Sequence, residues 1–264
     1  MEPVDLDLIL LAEDPEEEYL VDELLCKGQI WTFAGDPGVG KSFLMYYIAI
    51  SIALGLPVLG RKAEKGRVLY FDEENSKRDL NQYLRWIWRG LGQPETRGFN
   101  PKYFDNHEGL FLEHFTVAKY TQHRYDYMTE CAATIKPALI VVDTVASVCD
   151  IEDENSNGEA MKALKKLRQV RSAGGDDTVM VLLKHAKFTH DPSLKQTIRG
   201  AKCWKDQTDG MIFQKLAQGK PRTDKLKNCK LVNDKVRAFG LRDEIIITPR
   251  WVGDGKEKGV VLHG

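Results

Sequence analysis

The sequence predicts an α/β protein whose mainly parallel β-sheet is flanked by helices on both faces. Short runs of valine, isoleucine and leucine predict strands buried on both faces, as in ALIVVD at 138–143 and TVMVLLK at 178–184. These runs alternate with longer stretches of helical periodicity, as at 41–55 and 157–175. Ligands bind such sheets at the carboxyl ends of the strands, so we expect the functional residues there.

Strands are predicted in order along the chain wherever a short apolar run is bounded by turn residues or by a change to helical periodicity. The predicted strands are 29–35, 67–72, 112–117, 138–143, 178–184, 210–215, 228–234 and 244–249. The last three alternate more between apolar and polar residues, which is typical of strands with one solvated face. We therefore expect them in the outer part of the sheet.

Helices are predicted between these strands, each from its own signal. The stretch 41–55 is apolar nearly all round, which predicts a buried helix. The stretch 76–91 is amphipathic and opens with serine and aspartate at capping-box spacing. The stretch 124–135 is stopped by Pro137, and two glycines end the stretch 157–175.

Composition fits one large globular domain or two small ones. The chain has 264 residues, of which 42% are hydrophobic and 29% charged, and its net charge is −1. Because the protein is not a polycation, any contact with nucleic acid must come from a local basic surface. Five scattered cysteines without a CxxC pair argue against disulfides and a zinc site and fit a cytoplasmic protein. We expect no membrane association, because no apolar stretch reaches the ~20 residues that span a bilayer, and the acidic N-terminus is not a signal peptide.

Changes of pattern divide the chain into three regions. Residues 1–27 are strongly acidic and have no lysine or arginine before Lys27. The stretch LDLILLA within them is either a short amphipathic helix that docks on this chain or on a neighbouring subunit, or part of a solvated tail. Residues 28–250 form the main domain, with a surface excursion at 92–111, and residues 251–264 form a C-terminal tail.

A glycine-rich phosphate loop lies between the first predicted strand and the first predicted helix. GDPGVGKS matches G-x-x-x-x-G-K-[ST] in full and in the required context. Its glycines let backbone N–H groups curl around phosphate oxygens, and the helix N-terminus adds its positive dipole end. We expect Lys41 to reach the β- and γ-phosphates and Ser42 to hold Mg²⁺. The expected nucleotide-contacting residues are Gly35, Asp36, Pro37, Gly38, Val39, Gly40, Lys41, Ser42 and Phe43.

Two further strands end in polar residues at the same predicted edge. Asp143 ends the strand 138–143 and is placed to hold the water shell of Mg²⁺ beside the phosphate loop. Lys184 and His185 end the strand that starts at residue 178. His185 either reads the presence of the γ-phosphate or has a structural role.

Three consecutive carboxylates follow the strand 67–72. Hydrolysis needs a water aimed at the γ-phosphorus, and a carboxylate at the end of an adjacent strand can orient that water and accept its proton. Asp72 either faces the magnesium shell or ends the strand. Neighbours in an extended chain alternate faces, so Glu73 is expected to point away from Glu74.

The segment 186–202 is long and polar and carries Lys187, Lys195 and Arg199. It is either a mobile loop that tracks a nucleic-acid backbone at the catalytic edge or a solvated loop. Without a family context, the solvated loop is the simpler interpretation.

Together these motifs resemble the RecA-like hexameric P-loop ATPases, specifically the RepA-like replicative helicases and their DnaB-type relatives. The resemblance covers about residues 20–240. Its elements come in the family's order: LVDELLCKGQIWTFAGDPGVGKS, VLYFDEENS, ALIVVDTVAS, VLLKHAKF, IRGAKCWKDQTDGMIF and LVNDKVRAFG. The resemblance implies a RecA-like core that binds ATP and Mg²⁺ and hydrolyses ATP to ADP and phosphate.

The resemblance also implies roles for single residues. Lys41, Ser42 and Asp143 match the nucleotide and magnesium ligands. The family's catalytic glutamate aligns with Glu74, with Glu73 as the alternative if the register slips by one. His185 matches the γ-phosphate sensor.

A Lys-x-Arg pair near the end of the core matches residues that act across a subunit interface. Arg237 resembles an arginine finger that reaches the neighbouring subunit's nucleotide, and Lys235 resembles its companion. The implied partners are further copies of the chain in a ring, single-stranded DNA in a central channel, and other replication proteins. The sequence departs from the family at Ala201-Lys202-Cys203 and at the alanine after His185, which concerns the DNA contacts and not phosphate binding.

Three other functions stay open from the sequence. A recombination or repair ATPase related to RecA or RadA shares the core and forms filaments or rings. A nucleotide-dependent regulatory switch would turn over slowly and without unwinding. A small-molecule kinase is disfavoured because no lid with clustered arginines follows the core.

Overall fold

The computed structural model describes residues 18–93, 115–118, 124–149, 151–187, 197–217, 228–236, 244–254 and 258–264. The strands are β1 Tyr19–Val21, β2 Leu25–Cys26, β3 Ile30–Gly35, β4 Val68–Asp72, β5 Phe115–Ala118, β6 Leu139–Asp143, β7 Val179–His185, β8 Gly210–Leu216, β9 Cys229–Val236, β10 Ile245–Val252 and β11 Gly259–His263. The helices are α1 Lys41–Leu54, α2 Lys77–Gly90, α3 Arg124–Ile135, α4 Val145–Val148, α5 Asn157–Gly174 and α6 Cys203–Gln207. The predicted LDLILLA segment, most of the excursion at 92–111, Lys195 and Arg237 lie outside the described residues.

Nine of the strands in the described ranges form one sheet in the order β11-β10-β9-β8-β3-β7-β6-β4-β5. The strands from β8 to β5 in this order run parallel. The strands β9, β10 and β11 are added antiparallel at one side. This arrangement confirms the predicted α/β class with a mainly parallel sheet, and it brings the carboxyl ends of β3, β4, β6 and β7 to one edge.

Strand β8 lies inside the sheet, so the predicted outer position of residues 210–215 is wrong. It pairs in parallel with β3, with Gln214 opposite Gly35, and its first five residues are buried. Gln214 gives the run a polar position, but its side chain faces the phosphate loop and donates from Nε2 to the carbonyl oxygen of Val39 at 3.1 Å. The outer positions of β9 and β10 are confirmed.

Helices cover both faces of the sheet. On one face α1 and α2 share a hydrophobic core with residues of β10 and β11, and on the other face α3, α5 and α6 share a second core with β6 and β7. Twelve of the fourteen residues of α1 are buried, which confirms the helix that is apolar all round. No helix in the described ranges is long and apolar enough to cross a membrane.

Within 251–264, expected to form a tail, residues 251–252 instead complete β10 and residues 259–263 form β11. Val260 and Leu262 are buried, and they pack in the core that contains α2. Gly90 at the end of α2 lies so close to β11 that a Cβ built on it would be 1.8 Å from the carbonyl oxygen of Val260. A short apolar run near the chain end does not reveal such packing in the sequence.

Candidate functional site

The phosphate loop joins β3 to α1. Two of its glycines, Gly35 and Gly40, lie where a side chain would clash or would strain the backbone. Gly40 precedes α1 with a φ of 91°, in the left-handed region. A Cβ on Gly35 would lie 2.6 Å from the carbonyl oxygen of Gln214 on the neighbouring strand. The loop therefore turns tightly above the N-terminus of α1, where backbone N–H groups and the helix dipole favour a phosphate.

Lys41 is buried at this loop, with 6% of its surface exposed. Its Nζ donates to the carbonyl oxygens of Gly35 and Asp36, both at 3.1 Å. Burial lowers the pKa of Lys41, while the charges of Glu74 and Asp143 raise it. The ammonium thus lies where the motif predicts a lysine that contacts phosphates.

Asp143 ends β6 beside Asp72, which ends β4, and both residues are fully buried. Burial, followed by the charge of Asp72, raises the pKa of Asp143 to about 7, and hydrogen bonds from Ser42 and Tyr70 oppose this rise. The Tyr70 hydroxyl donates to Oδ2 of Asp143 at 2.8 Å. The other oxygen, Oδ1, is buried and has no hydrogen-bond partner among the described residues.

This open carboxylate oxygen fits a divalent cation. The Ser42 hydroxyl and the Asp143 carboxylate are both hard oxygen ligands of the kind that Mg²⁺ prefers. A cation held there would also offset the repulsion between the two buried aspartates. Ser42 and Asp143 are therefore the residues that would hold Mg²⁺, the same pair that the sequence predicts.

Glu74 follows β4 and faces the phosphate loop. Its Oε1 lies 3.7 Å from Nε2 of His185, and 42% of its side chain is exposed, so water can reach the carboxylate. Glu73 is anchored by its backbone, whose N–H donates to the carbonyl oxygen of Asp143 at 2.9 Å. Glu74 rather than Glu73 as the water-activating residue stays a prediction.

His185 ends β7 and lies between Lys41 and Glu74. Its Nδ1 is 3.5 Å from Nζ of Lys41, and burial followed by the Lys41 charge lowers its pKa. A lowered pKa favours the neutral ring, which can accept from the Lys41 ammonium at Nδ1 when its proton is on Nε2, towards Glu74. A phosphate binder, a neutral histidine and a carboxylate base thus meet at one point, a set that can bind a phosphoryl group and activate a water beside it.

Two stacked tyrosines beneath the site are not part of the sequence motifs. The rings of Tyr46 and Tyr70 stack with centroids 4.1 Å apart and an interplanar angle of 6°. Tyr46 donates from its hydroxyl to Oδ2 of Asp72 at 2.6 Å, as Tyr70 does to Asp143. The sequence gives only a weak indication that Tyr46 lies near the site: it follows Ser42 by one helical turn and so lies on the same face of the helix.

A cavity of about 1020 Å³ borders His185 and Pro37. Its lining includes four basic side chains, those of Lys187, Arg199, Lys202 and Lys205. Two of the three predicted nucleic-acid contacts are thus brought together here. Arg199 is also paired with Glu154, with 3.3 Å between Nε and Oε2.

Lys235 is bound within its own chain at the end of α6. Its Nζ donates to three backbone carbonyl oxygens, those of Lys205, Asp206 and Thr208. An ammonium at this position satisfies carbonyls that the helix leaves without partners. The role of Lys235 as a companion to Arg237 at a neighbouring subunit's nucleotide stays a prediction.

Lys184 faces the side of the sheet opposite α1. It is 3% exposed, and its Nζ lies over the ring of Trp204, 4.5 Å from the centroid. Burial lowers the pKa of Lys184 to about 8, while Glu154 raises it. The side chains of Lys184 and His185, at the end of β7, therefore lie on opposite faces of the sheet, because side chains alternate along a strand.

A comparison with known structures agrees with this fold. Among solved structures, the chain is similar to a KaiC-like protein from the hyperthermophilic archaeon Pyrococcus horikoshii OT3, with a TM-score of 0.56. The match has 14% sequence identity and covers 93% of this chain and 94% of that one, so the similarity concerns the fold alone. No curated protein matches the chain.

The fold and the phosphate loop define a RecA-like P-loop core. The family model described as an AAA domain matches residues 1–188. Since this match spans more than half of the chain, the protein belongs to the AAA domain family.

Proposed function

We propose that the protein hydrolyses ATP to ADP and phosphate at the carboxyl edge of its sheet. The observation that carries this proposal is the meeting of Lys41, His185 and Glu74, with His185 3.5 Å from the lysine and 3.7 Å from the glutamate. Phosphate binding alone needs the loop and its lysine. Hydrolysis also needs a group that activates water, and the partly exposed carboxylate of Glu74 lies just beyond the end of β4 on the same edge of the sheet.

Each side chain has a distinct role in the proposed reaction. Lys41 leaves the carbonyl oxygens of its loop and binds the phosphates, and Glu74 orients the attacking water and accepts its proton. His185 donates from Nε2 to a γ-phosphate oxygen and so senses whether ATP or ADP is present. Mg²⁺ bound by Ser42 and Asp143 supplies positive charge that stabilises the transferring phosphoryl group.

The substitution Glu74→Gln tests this assignment, with Glu73→Gln as the matched control. We expect Glu74→Gln to bind an ATP analogue normally and to lose turnover by about 100-fold or more, because an amide cannot accept the proton. Glu73→Gln should keep turnover. Normal turnover in Glu74→Gln contradicts the assignment, and loss in Glu73→Gln alone moves it to Glu73.

We further propose that hydrolysis drives movement along single-stranded DNA. The cavity beside His185 supports this, because its lining among the described residues has four cationic side chains and one carboxylate, that of Asp234, which pairs with Lys205. Such an excess of positive charge suits a phosphate backbone. The segment that carries Arg199 also starts at the sensor: Ala186 pairs with Ile198, and the Arg199 N–H donates to the His185 carbonyl oxygen at 2.9 Å. A shift of His185 on γ-phosphate binding would therefore move the base of this segment.

Stimulation of the ATPase by single-stranded DNA tests the nucleic-acid role. Lys187→Ala and Arg199→Gln should each weaken the stimulation and reduce its dependence on salt, because each removes a phosphate contact. Lys165→Ala, a change of an exposed lysine on α5, serves as the charge-matched control and should leave the stimulation unchanged. An ATPase rate that DNA does not alter favours the regulatory switch.

We propose that identical subunits assemble into a ring, and that this ring is a hexamer as in replicative helicases. In this ring Arg237 and its companion Lys235 would act on the nucleotide of the neighbouring subunit. Mass measurement with an ATP analogue, with and without single-stranded DNA, tests it. A ring supports the helicase, a filament favours the RecA- or RadA-like alternative, and a monomer under both conditions contradicts the ring. Arg237→Ala mixed with Lys41→Ala subunits should regain activity if the arginine acts across the interface.

A further inference from the structure

Asp72 lies at the centre of a hydrogen-bond network between α1 and the turn that carries Glu74. Its Oδ1 accepts from the backbone N–H groups of Glu74, at 3.0 Å, and Asn75, at 2.9 Å. Its Oδ2 accepts from the Tyr46 hydroxyl at 2.6 Å and from Nδ2 of Asn75 at 3.1 Å. The side chain is fully buried, so the network is protected from competing water.

These four donors decide what Asp72 does. A carboxylate has about four lone-pair directions, and all are directed to protein donors. Asp72 therefore has no oxygen left for a cation, whereas Oδ1 of Asp143 beside it has no protein donor in the described ranges. Asp72 instead fixes the backbone of Glu74 and Asn75 through these hydrogen bonds.

We infer that Asp72 is a positioning residue for ATP hydrolysis and that Tyr46 orients it from the nucleotide-binding helix. Tyr46 lies four residues after Ser42, on the same face of α1. Its short bond to a buried carboxylate is of the strong, charge-assisted kind. The Tyr46–Asp72 pair thus fixes the turn of Glu74 relative to the helix that begins at the phosphates. This inference rests on the proposed hydrolysis by Glu74.

Tyr46→Phe is the main test, because it removes one hydroxyl and keeps the stacked ring. We expect kcat to fall roughly 10-fold, since a small displacement of a reacting group lowers the rate by such factors. The Kd for an ATP analogue should stay unchanged, whereas the Tm should fall, because the buried Asp72 carboxylate loses one of its donors. Tyr47→Phe is the matched control: it removes the neighbouring hydroxyl of the same helix, which donates to the Leu262 carbonyl oxygen at 3.4 Å, and should keep kcat.

Two substitutions of Asp72 extend the test. Asp72→Ala removes every bond to the turn and should lower kcat more than Tyr46→Phe does. Asp72→Asn keeps an oxygen for the two backbone N–H groups, so it should restore most of the rate lost in Asp72→Ala. Failure of Asp72→Asn to exceed Asp72→Ala would show that the backbone bonds are not what matters.

The possible failures are distinguishable. If Glu74→Gln abolishes turnover while Tyr46→Phe keeps kcat within about twofold, the inference is wrong and the proposed function stands. If Tyr46→Phe instead weakens binding of the ATP analogue by as large a factor as it lowers kcat, the pair supports the site as a whole and the inference is also wrong. Normal turnover in Glu74→Gln would overturn both.

Discussion

Asp72 and Asp143 are neighbours at the ends of β4 and β6, and hydrogen bonding gives them different chemistry. Asp72 accepts from four protein donors, so it is satisfied without a cation. Asp143 keeps one open oxygen, and burial followed by the charge of Asp72 raises its pKa to about 7. A cation would favour the ionised form of Asp143. The count of donors around each oxygen thus separates the proposed metal ligand, Asp143, from the proposed positioning carboxylate, Asp72.

A second buried charge, Lys184, gives a prediction about pH. Its pKa is lowered by burial from 10.5 to about 8, so below pH 8 the folded protein carries a buried ammonium at a cost of about 3 kcal/mol. Between the two values the unfolded chain holds a proton that the folded chain has released, so stability rises with pH. Lys184→Met removes the charge and should raise the Tm at about pH 7.

Thermal unfolding of both proteins at about pH 7 and about pH 9.5 measures this effect. The advantage of Lys184→Met should shrink at the higher pH, because the wild-type lysine is then neutral in the folded state. Methionine keeps contact with the ring of Trp204, since sulfur packs well on aromatic rings. An advantage that is the same at both pH values would contradict the prediction.

The residues of the site that the sequence reveals are those at fixed positions of a local motif or at a strand end. Lys41, Ser42 and Asp143 have such positions, because the motif and the parallel sheet together bring them to one edge. Tyr46 and Asp72 meet over a separation of 26 residues, and Tyr70 and Asp143 over 73. Such pairs depend on how helix and sheet pack, which periodicity does not encode.

Among the elements, α2 is fixed at both of its ends. At its start, Ser76 Oγ accepts from the Asp79 N–H at 3.1 Å, which confirms the predicted cap. At its end, Gly90 lies against the backbone of Val260 in β11. The helix that follows the Glu74 turn is therefore held by a C-terminal strand that the sequence predicts only as a tail.

Gly90→Ala should destabilise the protein by about 2 kcal/mol, because the new Cβ would overlap the Val260 carbonyl oxygen and force α2 away from β11. Gly158→Ala is the matched control. Its Cβ in the first turn of α5 would meet Ser156 Oγ at 3.7 Å, so the better helix propensity of alanine should stabilise by up to about 1 kcal/mol. Denaturant unfolding compares the two, and equal effects would contradict the close packing of Gly90.

Elements with long periodic patterns are predicted well, and short ones are not. The predicted helix 124–135 has the observed bounds, and the other three predicted helices differ by a residue at their ends. The short elements β1, β2, α4 and α6 have two to five residues each. Runs of that length contain less than two helical turns or a few alternations, so tertiary contacts and not local pattern decide them.

In the whole molecule, the nucleotide site lies at the N-terminus of a helix that is enclosed by one of the two cores. A nucleotide that binds this end of α1 in the folded protein, and not the unfolded chain, raises the free energy of unfolding of the whole fold. A ligand at a hundredfold excess over its Kd adds about 2.7 kcal/mol to the free energy of unfolding. Stability thus reports on the site without any assay of turnover.

The metal contribution can be measured in this way. ADP should raise the Tm more with Mg²⁺ than with a chelator, because the cation joins the phosphates to Ser42 and Asp143. In Asp143→Asn the Mg²⁺-dependent part should be lost while ADP alone still stabilises, and in Lys41→Ala both parts should decrease. A full Mg²⁺ effect in Asp143→Asn would contradict the assignment of the metal ligand.

The place of β3 between β7 and β8 has a consequence for the newly made chain. Ile30 pairs with Met180 of β7, and the loop residue Val39 accepts a hydrogen bond from Gln214, 175 residues further along. Contacts so distant in sequence form slowly, because a long loop must close before they stabilise anything. On the ribosome the phosphate loop is synthesised early, but it gains its support on both sides only after residue 216 has emerged. We therefore expect the phosphate loop to bind nucleotide only after both supporting strands have been synthesised.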